Sequence, residues 1–308
     1  MIKRSTRAFW REGKRLRGYS LADFVHGYVY ARWPYHYIGF ATGARRPHWL
    51  LRPLAALLTA LFVSGKDKAT ESEADRKQGF ADRYHGKVVP TSAAEELVTL
   101  EKPIELRGLE QIVPYKTAFD IVMQDPDHIV ALECPCRAVR EEHCEPLDVC
   151  LIIGEPFAGF VVDHHPKKAR SISSEEAIEI LRAERDRGHV HHAFFKDAML
   201  SRFYAICNCC SCCCGAMQAH RSGTPMLESS GYVSSVEVER CVGCGACAAI
   251  CPFDAMSVID GALVVDREGC MGCGVCVAKC PEGALSLDRD PSKSEPLRIR
   301  DLVEAHER

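Results

Sequence analysis

Two runs of cysteine near the end of the chain have a residue type and a spacing that suit metal chemistry. In each run, two residues separate the first three cysteines, three residues precede the fourth, and proline follows at once. The cysteines are Cys241, Cys244, Cys247 and Cys251, then Cys270, Cys273, Cys276 and Cys280. Two-residue gaps let a curled loop present three thiolates to three corners of one cubic iron-sulfur cluster, while the fourth corner needs a thiolate from elsewhere. Structural zinc is the alternative, but zinc sites seldom have four cysteines and a proline in each run.

The two runs resemble those of the bacterial 2[4Fe-4S] ferredoxin family over residues 236–288. The resemblance implies a small, pseudo-symmetric module that holds two [4Fe-4S] clusters and moves single electrons. It also implies that the fourth cysteine of each run ligates the other cluster. On that pattern, one cluster takes Cys241, Cys244, Cys247 and Cys280, and the second takes Cys270, Cys273, Cys276 and Cys251.

Ten further cysteines form two groups that do not match the ferredoxin run. They are Cys134, Cys136, Cys144 and Cys150, then Cys207, Cys209, Cys210, Cys212, Cys213 and Cys214. Neighbouring side chains diverge, so adjacent cysteines cannot all bind one metal, and the second group should divide its thiolates between sites. The number of thiolates allows one or two further iron-sulfur clusters, with zinc or free thiols as the alternatives.

Residues 100–220 resemble a cysteine-rich domain of iron-sulfur proteins from anaerobic bacteria. The resemblance depends on the tracts at 133–137 and 206–214 and on the segment 188–191. It favours metal ligation by cysteines of both groups: Cys134, Cys136, Cys144, Cys150, Cys207, Cys210, Cys212 and Cys214. Cys209 and Cys213 have no assigned role.

Several polar residues lie close to these cysteines in the sequence. His189, His191 and His192 precede the second group and could ligate a cluster or relay a proton, although structural histidines are the commoner case. Arg137 follows the first Cys-Pro-Cys turn, where it could offset the negative charge of a thiolate-bound cluster or could be an ordinary surface residue.

Local patterns predict the elements that position the cysteines. Ser173 with Glu176 forms a capping box before a helical apolar stripe that ends at Gly188. Apolar runs at 128–132 and 203–206 predict strands that each end at a cysteine cluster. We therefore expect an α+β fold with its cysteines on loops.

Turn signals and composition divide the rest of the chain. An Asp-Gly pair at 260–261 predicts a β-hairpin between the two ferredoxin-type runs, and Pro114 predicts a helix over 114–124. The expected domains are an arm, a linker, a cysteine-rich α+β domain, a ferredoxin-like module and a charged tail. Their ranges are 1–65, 66–90, 91–228, 229–290 and 291–308.

The arm is basic and aromatic. Residues 1–52 contain 11 Lys and Arg against only Glu12 and Asp23, although the whole chain has a net charge of -3. Rings interleaved with cations predict a helical arm that docks on an anionic membrane surface or on a partner protein. A nucleic-acid partner is not expected, since no recognition motif accompanies the charge.

The apolar stretch at 49–63 is shorter than the roughly 20 residues that span a bilayer. A spanning helix, interfacial docking and a buried helix all remain open for this stretch. The linker at 66–86 is polar and predicts an exposed segment, partly helical. The basic start lacks the apolar run of a secretory signal, so we expect a cytoplasmic protein, peripheral at the inner face of the membrane.

No phosphate-binding loop, dinucleotide fingerprint or hydrolase motif occurs in the sequence. We therefore expect an electron-transfer protein or subunit that relays single electrons between redox partners in anaerobic metabolism. The alternative is a reductase whose cysteine-rich domain holds an unusual cluster with an open coordination site. A zinc-stabilised interaction module is a third interpretation of that domain.

Overall fold

A computed structural model describes residues 2–45, 72–116 and 120–306 of the chain. The stretch at 49–63, for which the sequence left three alternatives, lies outside the described residues. The helices are α1 (Arg4–Gly13), α2 (Leu21–Arg32), α3 (Pro34–Ala41), α4 (Glu73–Arg83), α5 (Thr91–Val98), α6 (Pro135–Ala138), α7 (Phe157–His164), α8 (Ser174–Asp186), α9 (Gly215–Arg221), α10 (Ala246–Ile250), α11 (Val275–Lys279) and α12 (Ile299–His306). The strands are β1 (Tyr84–Val89), β2 (Ile104–Leu106), β3 (Ile121–Leu132), β4 (Cys150–Glu155), β5 (Ala169–Ile172), β6 (Val190–Lys196), β7 (Arg202–Cys209), β8 (Leu227–Glu228), β9 (Tyr232–Val236), β10 (Met256–Ile259), β11 (Ala262–Val265) and β12 (Leu285–Arg289).

The main sheet has eight strands in the order β2-β3-β4-β7-β6-β1-β8, and β5 pairs with β3. All of its pairs are antiparallel except β1 with β8. Leu132 at the end of β3 lies opposite Cys150 at the start of β4, and Leu151 lies opposite Ile206 of β7. Because β3, β4 and β7 are neighbours, this register brings both groups of middle cysteines to one end of the sheet.

The two predicted strands and the capped helix are confirmed. The runs at 128–132 and 203–206 lie in β3 and β7, and both strands lead into cysteines. In α8, the Ser173 hydroxyl accepts a hydrogen bond from the Glu176 amide at 3.2 Å. Gly188, just beyond the helix, has a φ of +86°, which is typical of a helix stop.

The C-terminal module contains two small antiparallel sheets. Strands β10 and β11 form the hairpin that Asp260 and Gly261 predicted, and both of these turn residues have positive φ, at 50° and 77°. The second sheet pairs β12 with β9. Short helices α10 and α11 each begin after a glycine in the left-handed region, at Gly245 and Gly274.

The predicted helix at 114–124 is wrong, because residues 121–124 belong to β3. The expectation of an exposed linker over 66–86 is also wrong at its end. Helix α4 leads into β1, where His85 and Lys87 are fully buried inside the main sheet. The polar composition misled because both side chains have partners in the fold. His85 Nδ1 lies 3.0 Å from the carbonyl oxygen of Ala81, and its ring stacks on Tyr115 with ring centroids 3.8 Å apart. Lys87 Nζ donates to Ser294 Oγ at 2.7 Å.

The described part of the arm packs on the sheet domain. Phe9 of α1 is fully buried and contacts Phe157 and Phe160 of α7, with ring centroids 5.6 Å and 5.9 Å apart. The Tyr35 hydroxyl donates to the carbonyl of Glu133 at 3.1 Å, directly before the first cysteine group. Most arm aromatics among the described residues therefore serve the core, whereas Trp33 and Phe40 stay exposed.

The C-terminal tail is also docked on the body of the protein. Leu297 and Ile299 are buried, and α12 packs against α5 and β2. The Glu295 amide donates to the carbonyl of Gln111 at 2.8 Å. Across the described ranges, no helix has both the length and the apolar character needed to cross a membrane.

Candidate metal centres

The first group of four cysteines, termed site I, is Cys241, Cys244, Cys247 and Cys280. All four line one cavity, so the structure places the fourth cysteine of the second run beside the first three of the first run. Gly243 makes this possible: its φ is +65°, and a Cβ there would lie 2.2 Å from the carbonyl oxygen of Gly261 in the hairpin. The hairpin and the cysteine loop can touch only because this residue has no side chain.

The second group, termed site II, is Cys251, Cys270, Cys273 and Cys276, which line a second cavity. Gly272 has the role that Gly243 has in site I, since a Cβ there would lie 2.2 Å from the carbonyl oxygen of Tyr232. Site II faces the main body, where Met271 and Val275 are buried in the large core, whereas Cys244 of site I is exposed to solvent.

Backbone amides donate to sulfur at matching positions of the two sites. The Ala255 amide donates to Cys251 Sγ and the Ala284 amide to Cys280 Sγ, each at 3.3 Å. The Ser234 amide donates to Cys270 Sγ at 3.4 Å. Amides aimed at sulfur stabilise the thiolate form, which is the form that ligates metals.

Two thiols of site II, those of Cys273 and Cys276, are poor acids in the free protein. Burial raises the pKa of Cys276 to about 11, and burial also raises the pKa of Cys273. These thiols are therefore protonated at neutral pH until a cation stabilises the thiolates. Metal binding at such a site releases protons and becomes tighter as the pH rises.

A third group, termed site III, consists of Cys144, Cys210, Cys212 and Cys213, whose sulfur atoms all lie within 4.8 Å of one another. Cys144 Sγ lies 3.1 Å from Cys212 Sγ, and Cys212 Sγ lies 3.6 Å from Cys213 Sγ. The sequence left Cys213 without a role because adjacent side chains were expected to diverge. Residues 211–213 form a turn rather than a strand, and this turn directs both sulfurs to the same side.

The six remaining cysteines lie together at the end of the main sheet and are termed the six-cysteine ring. They are Cys134, Cys136, Cys150, Cys207, Cys209 and Cys214, and all of them line one cavity, which Cys210 of site III also borders. The structure thus divides the ten middle cysteines into four and six. Three of the predicted ligands, Cys144, Cys210 and Cys212, belong to site III. The other five predicted ligands belong to the ring, which also includes Cys209.

Arg137 lies beside the ring and is fully buried, so the surface interpretation is wrong. Its guanidinium forms an ion pair with buried Glu184 and donates to the carbonyl of Asn208 at 3.1 Å. Burial opposes the charge of Arg137, but the hydrogen bond that its guanidinium donates to the Glu184 carboxylate, together with the charge of that carboxylate, outweighs burial and raises the pKa of Arg137. Arg137 thus places a permanent positive charge, already paired with Glu184, next to the cysteines.

The histidines are built into the sheet domain. His189 Nδ1 lies 2.7 Å from a carboxylate oxygen of Glu184, and His191 Nδ1 lies 2.6 Å from Asn208 Oδ1. Burial lowers the pKa of His191 to about 4, which leaves that ring neutral at physiological pH. His192 is fully buried in β6. Thr91 Oγ1 lies 3.2 Å from His191 Nε2, so hydrogen bonds within the protein occupy both ring nitrogens of His191 and one ring nitrogen of His189.

Residues 233–281 match the family model of the 4Fe-4S dicluster domain. The matched range contains all eight cysteines of sites I and II. Among curated proteins, none matches the chain. The chain therefore contains a ferredoxin-type 4Fe-4S dicluster domain, joined to a mixed helix and strand domain that has a further cluster of four cysteines.

Proposed function

We propose that this protein is an iron-sulfur electron-transfer protein or subunit that relays single electrons between redox partners in anaerobic metabolism. The observation that carries the proposal is the dicluster domain, whose eight cysteines converge as two groups of four. Iron-sulfur clusters bound there supply reversible one-electron chemistry, with a potential set by charge, hydrogen bonds to sulfur and solvent exposure.

The residues of sites I and II fit one [4Fe-4S] cluster each. Each site offers four cysteine sulfurs. Glu282 is among the residues that line the cavity around site I, whereas no carboxylate is among the described residues that line the cavity around site II. The amides of Ala255 and Ala284 stabilise the two thiolates that cross between the runs. These matching contacts support a pseudo-symmetric module in which site I takes Cys280 and site II takes Cys251.

Site III fits a third metal centre. Its four sulfurs already lie close together, and thiolate ligands select zinc or iron-sulfur clusters. We assign it to a further iron-sulfur cluster because the chain already contains a dicluster domain. Cys212 is exposed, so site III also borders solvent.

A redox partner protein should approach the module at site I. Val242 is 67% exposed and Ile259 is 55% exposed, and both lie next to residues that line the site. Glu239 and Glu282 are exposed in the same region, which favours a partner with a basic apolar surface. Val242→Glu should weaken transfer to that partner and leave the iron content unchanged, whereas Val238→Glu is a control in the same loop.

The basic face of α1 should contact an anionic membrane surface or an acidic partner subunit in the cytoplasm. Lys3, Arg4, Arg7 and Arg11 are all exposed, although Phe9 of the same helix is buried. Each such cation contributes about 1 kcal/mol near an anionic lipid surface, and salt weakens the attraction. Sedimentation with anionic vesicles should therefore fall as ionic strength rises, and absence of sedimentation at low salt would contradict the lipid interpretation.

The test of the electron-transfer function uses anaerobically purified full-length protein with Cys244→Ala in site I or Cys273→Ala in site II. Each variant should lose or convert one cluster, which iron analysis and the electron paramagnetic resonance spectrum of the reduced protein will show. Val238→Ala is the matched control, since that residue is 77% exposed in the same module. Unchanged iron in both cysteine variants would refute the proposed ligands.

A further inference from the structure

The six-cysteine ring lines a cavity of about 160 Å³ at the end of the main sheet, and Cys210 of site III lies at its edge. Four of its members, Cys134, Cys150, Cys209 and Cys214, are buried, and none of the six forms a disulfide. So many buried thiols around one void exceed what packing requires, since a cysteine in a core otherwise acts as a small apolar residue.

The sulfur atoms contact one another in a continuous series. The side chain of Cys150 interacts with those of Cys207 and Cys134, and the side chain of Cys134 interacts in turn with that of Cys136. The series continues from Cys136 to Cys214, whose sulfur lies 3.1 Å from that of Cys209. Each of the six cysteines therefore contacts at least one other member of the ring.

Six different positions of the fold create this convergence. Cys134 follows β3, and Cys150 begins β4. Cys207 and Cys209 lie near the end of β7. Three neighbouring strands therefore position four of the six sulfurs. Cys136 lies in α6 and Cys214 directly precedes α9. Backbone amides support the thiolate form here as well, with Arg137 donating to Cys134 and Met217 to Cys214.

Aromatic and apolar side chains form much of the remaining wall of the cavity. Tyr30, Tyr37, Ile38 and Thr42 from the N-terminal helices close one side of it, and Phe194 of β6 lies on another. The Tyr30 hydroxyl lies 2.7 Å from the Tyr204 hydroxyl, so the buried phenols satisfy each other. Among the described residues that line the cavity there is neither a carboxylate nor a histidine, and an all-sulfur donor set selects soft metals.

We propose that all six cysteines of the ring ligate one iron-sulfur cluster that contains more iron than a [4Fe-4S] cluster. This inference deepens the proposed iron-sulfur function and depends on it. A [4Fe-4S] cluster takes four thiolates, one for each iron, and would leave two thiols of the ring without a purpose. Two zinc ions could share six thiolates, but bonds of about 2.3 Å from each ion to its thiolates need no central void. Inorganic sulfide supplies the bridging atoms that would occupy the cavity.

The test compares the iron lost by two variants of the full-length protein, purified anaerobically. Cys150→Ala removes a member of the ring, and Cys213→Ala removes a buried member of site III, which serves as the matched four-cysteine reference. With one thiolate for each iron, Cys150→Ala should lose about 1.5 times as much iron as Cys213→Ala. An equal or smaller loss would overturn the proposal, as would zinc that is present in the wild type and lost in Cys150→Ala.

Single alanine substitutions at all six ring positions supply the second criterion. Each should lower the iron content, whereas wild-type iron and an unchanged spectrum at any two positions would identify spare thiols and refute six-fold ligation. If Cys150→Ala does not fold, the iron content of Cys150→Ser and the total iron content of the wild type test the proposal instead. Four [4Fe-4S] clusters amount to about 16 irons per chain, so a fully loaded wild type should exceed that number. The signals lost in Cys244→Ala and Cys273→Ala report on sites I and II separately, so failure of the ring and failure of the proposed function are distinguishable.

Discussion

Replacing Phe9 with alanine should detach the N-terminal helix from the body of the protein. Phe9 is fully buried, and its ring contacts Phe24 at 5.3 Å as well as Phe157 and Phe160 of α7. Few other buried side chains hold α1, since only Thr6 and Gly13 join Phe9 among its buried residues. The contacts of this one ring should therefore dominate the docking of the helix.

The size of the effect follows from the burial of the ring. Removing a fully buried phenylalanine side chain costs about 3 to 5 kcal/mol, because both transfer energy and packing are lost. Each 1.4 kcal/mol is a factor of ten, so opening of α1 should become about a hundredfold to a few thousandfold more frequent. Hydrogen exchange of the amides in Arg4–Gly13, measured by mass spectrometry, should accelerate by that factor until it reaches the rate of an unfolded peptide.

The matched control is Leu21→Ala in the next helix. Leu21 is an apolar residue of the same arm but is 62% exposed, so its loss should change stability by no more than about 0.5 kcal/mol. If α1 exchanges equally fast in Phe9→Ala, Leu21→Ala and the wild type, the arm is not anchored by this ring. That result would support the interpretation of residues 1–65 as an independent docking arm.

Two further substitutions examine the buried ion pair and the site II loop. Arg137→Met removes one of three partners of buried Glu184, which keeps Arg187 and His189, so it should destabilise the protein by about 1 to 3 kcal/mol. The double variant Arg137→Met/Glu184→Met should regain part of that loss in anaerobic denaturant titrations. A double variant that is less stable than Arg137→Met would contradict this account of the pair. Gly272→Ala should lose the site II cluster because the added methyl group would collide with the carbonyl of Tyr232, whereas Gly18→Ala has a similar positive φ in open space and should keep its iron. Equal iron content in Gly272→Ala and Gly18→Ala would show that the collision with the Tyr232 carbonyl does not prevent cluster binding at site II.

The sequence correctly predicted the elements that depend on residues close to one another in the chain. The capped helix, the Asp-Gly hairpin and the two strands that lead into cysteines depend on residues within a few positions of each other. The cysteine runs are equally local, and the family model of the 4Fe-4S dicluster domain covers them. These features could therefore be recognised before any long-range contact was known.

Features that depend on distant partners could not be predicted in this way. Lys87 is tolerated in a buried strand because Ser294, which lies near the end of the chain, accepts its hydrogen bond. Phe9 is buried by α7, more than a hundred residues away, so the sequence of the arm alone suggested a membrane or partner surface. Polar or aromatic composition cannot reveal a partner of this kind.

The division of the ten middle cysteines also depended on geometry that the sequence does not show. Alternation in β7 sends Cys207 and Cys209 to the ring, whereas the following turn directs Cys212 and Cys213 to site III. The prediction that the tract would divide between sites is consistent with this arrangement. The assumption that neighbouring cysteines always separate was wrong, because it holds for a strand and not for this turn.

Iron and acid-labile sulfide in the anaerobically purified wild-type protein, measured together with zinc, test the central claim most directly. Sites I and II alone require about eight irons and a similar amount of sulfide per chain, and the reduced protein should show the electron paramagnetic resonance signal of [4Fe-4S] clusters. Clusters at site III and in the six-cysteine ring should raise the iron and sulfide content above that level. A folded protein that contains zinc and lacks labile sulfide would contradict the electron-transfer account, because zinc held by the same thiolates cannot accept an electron.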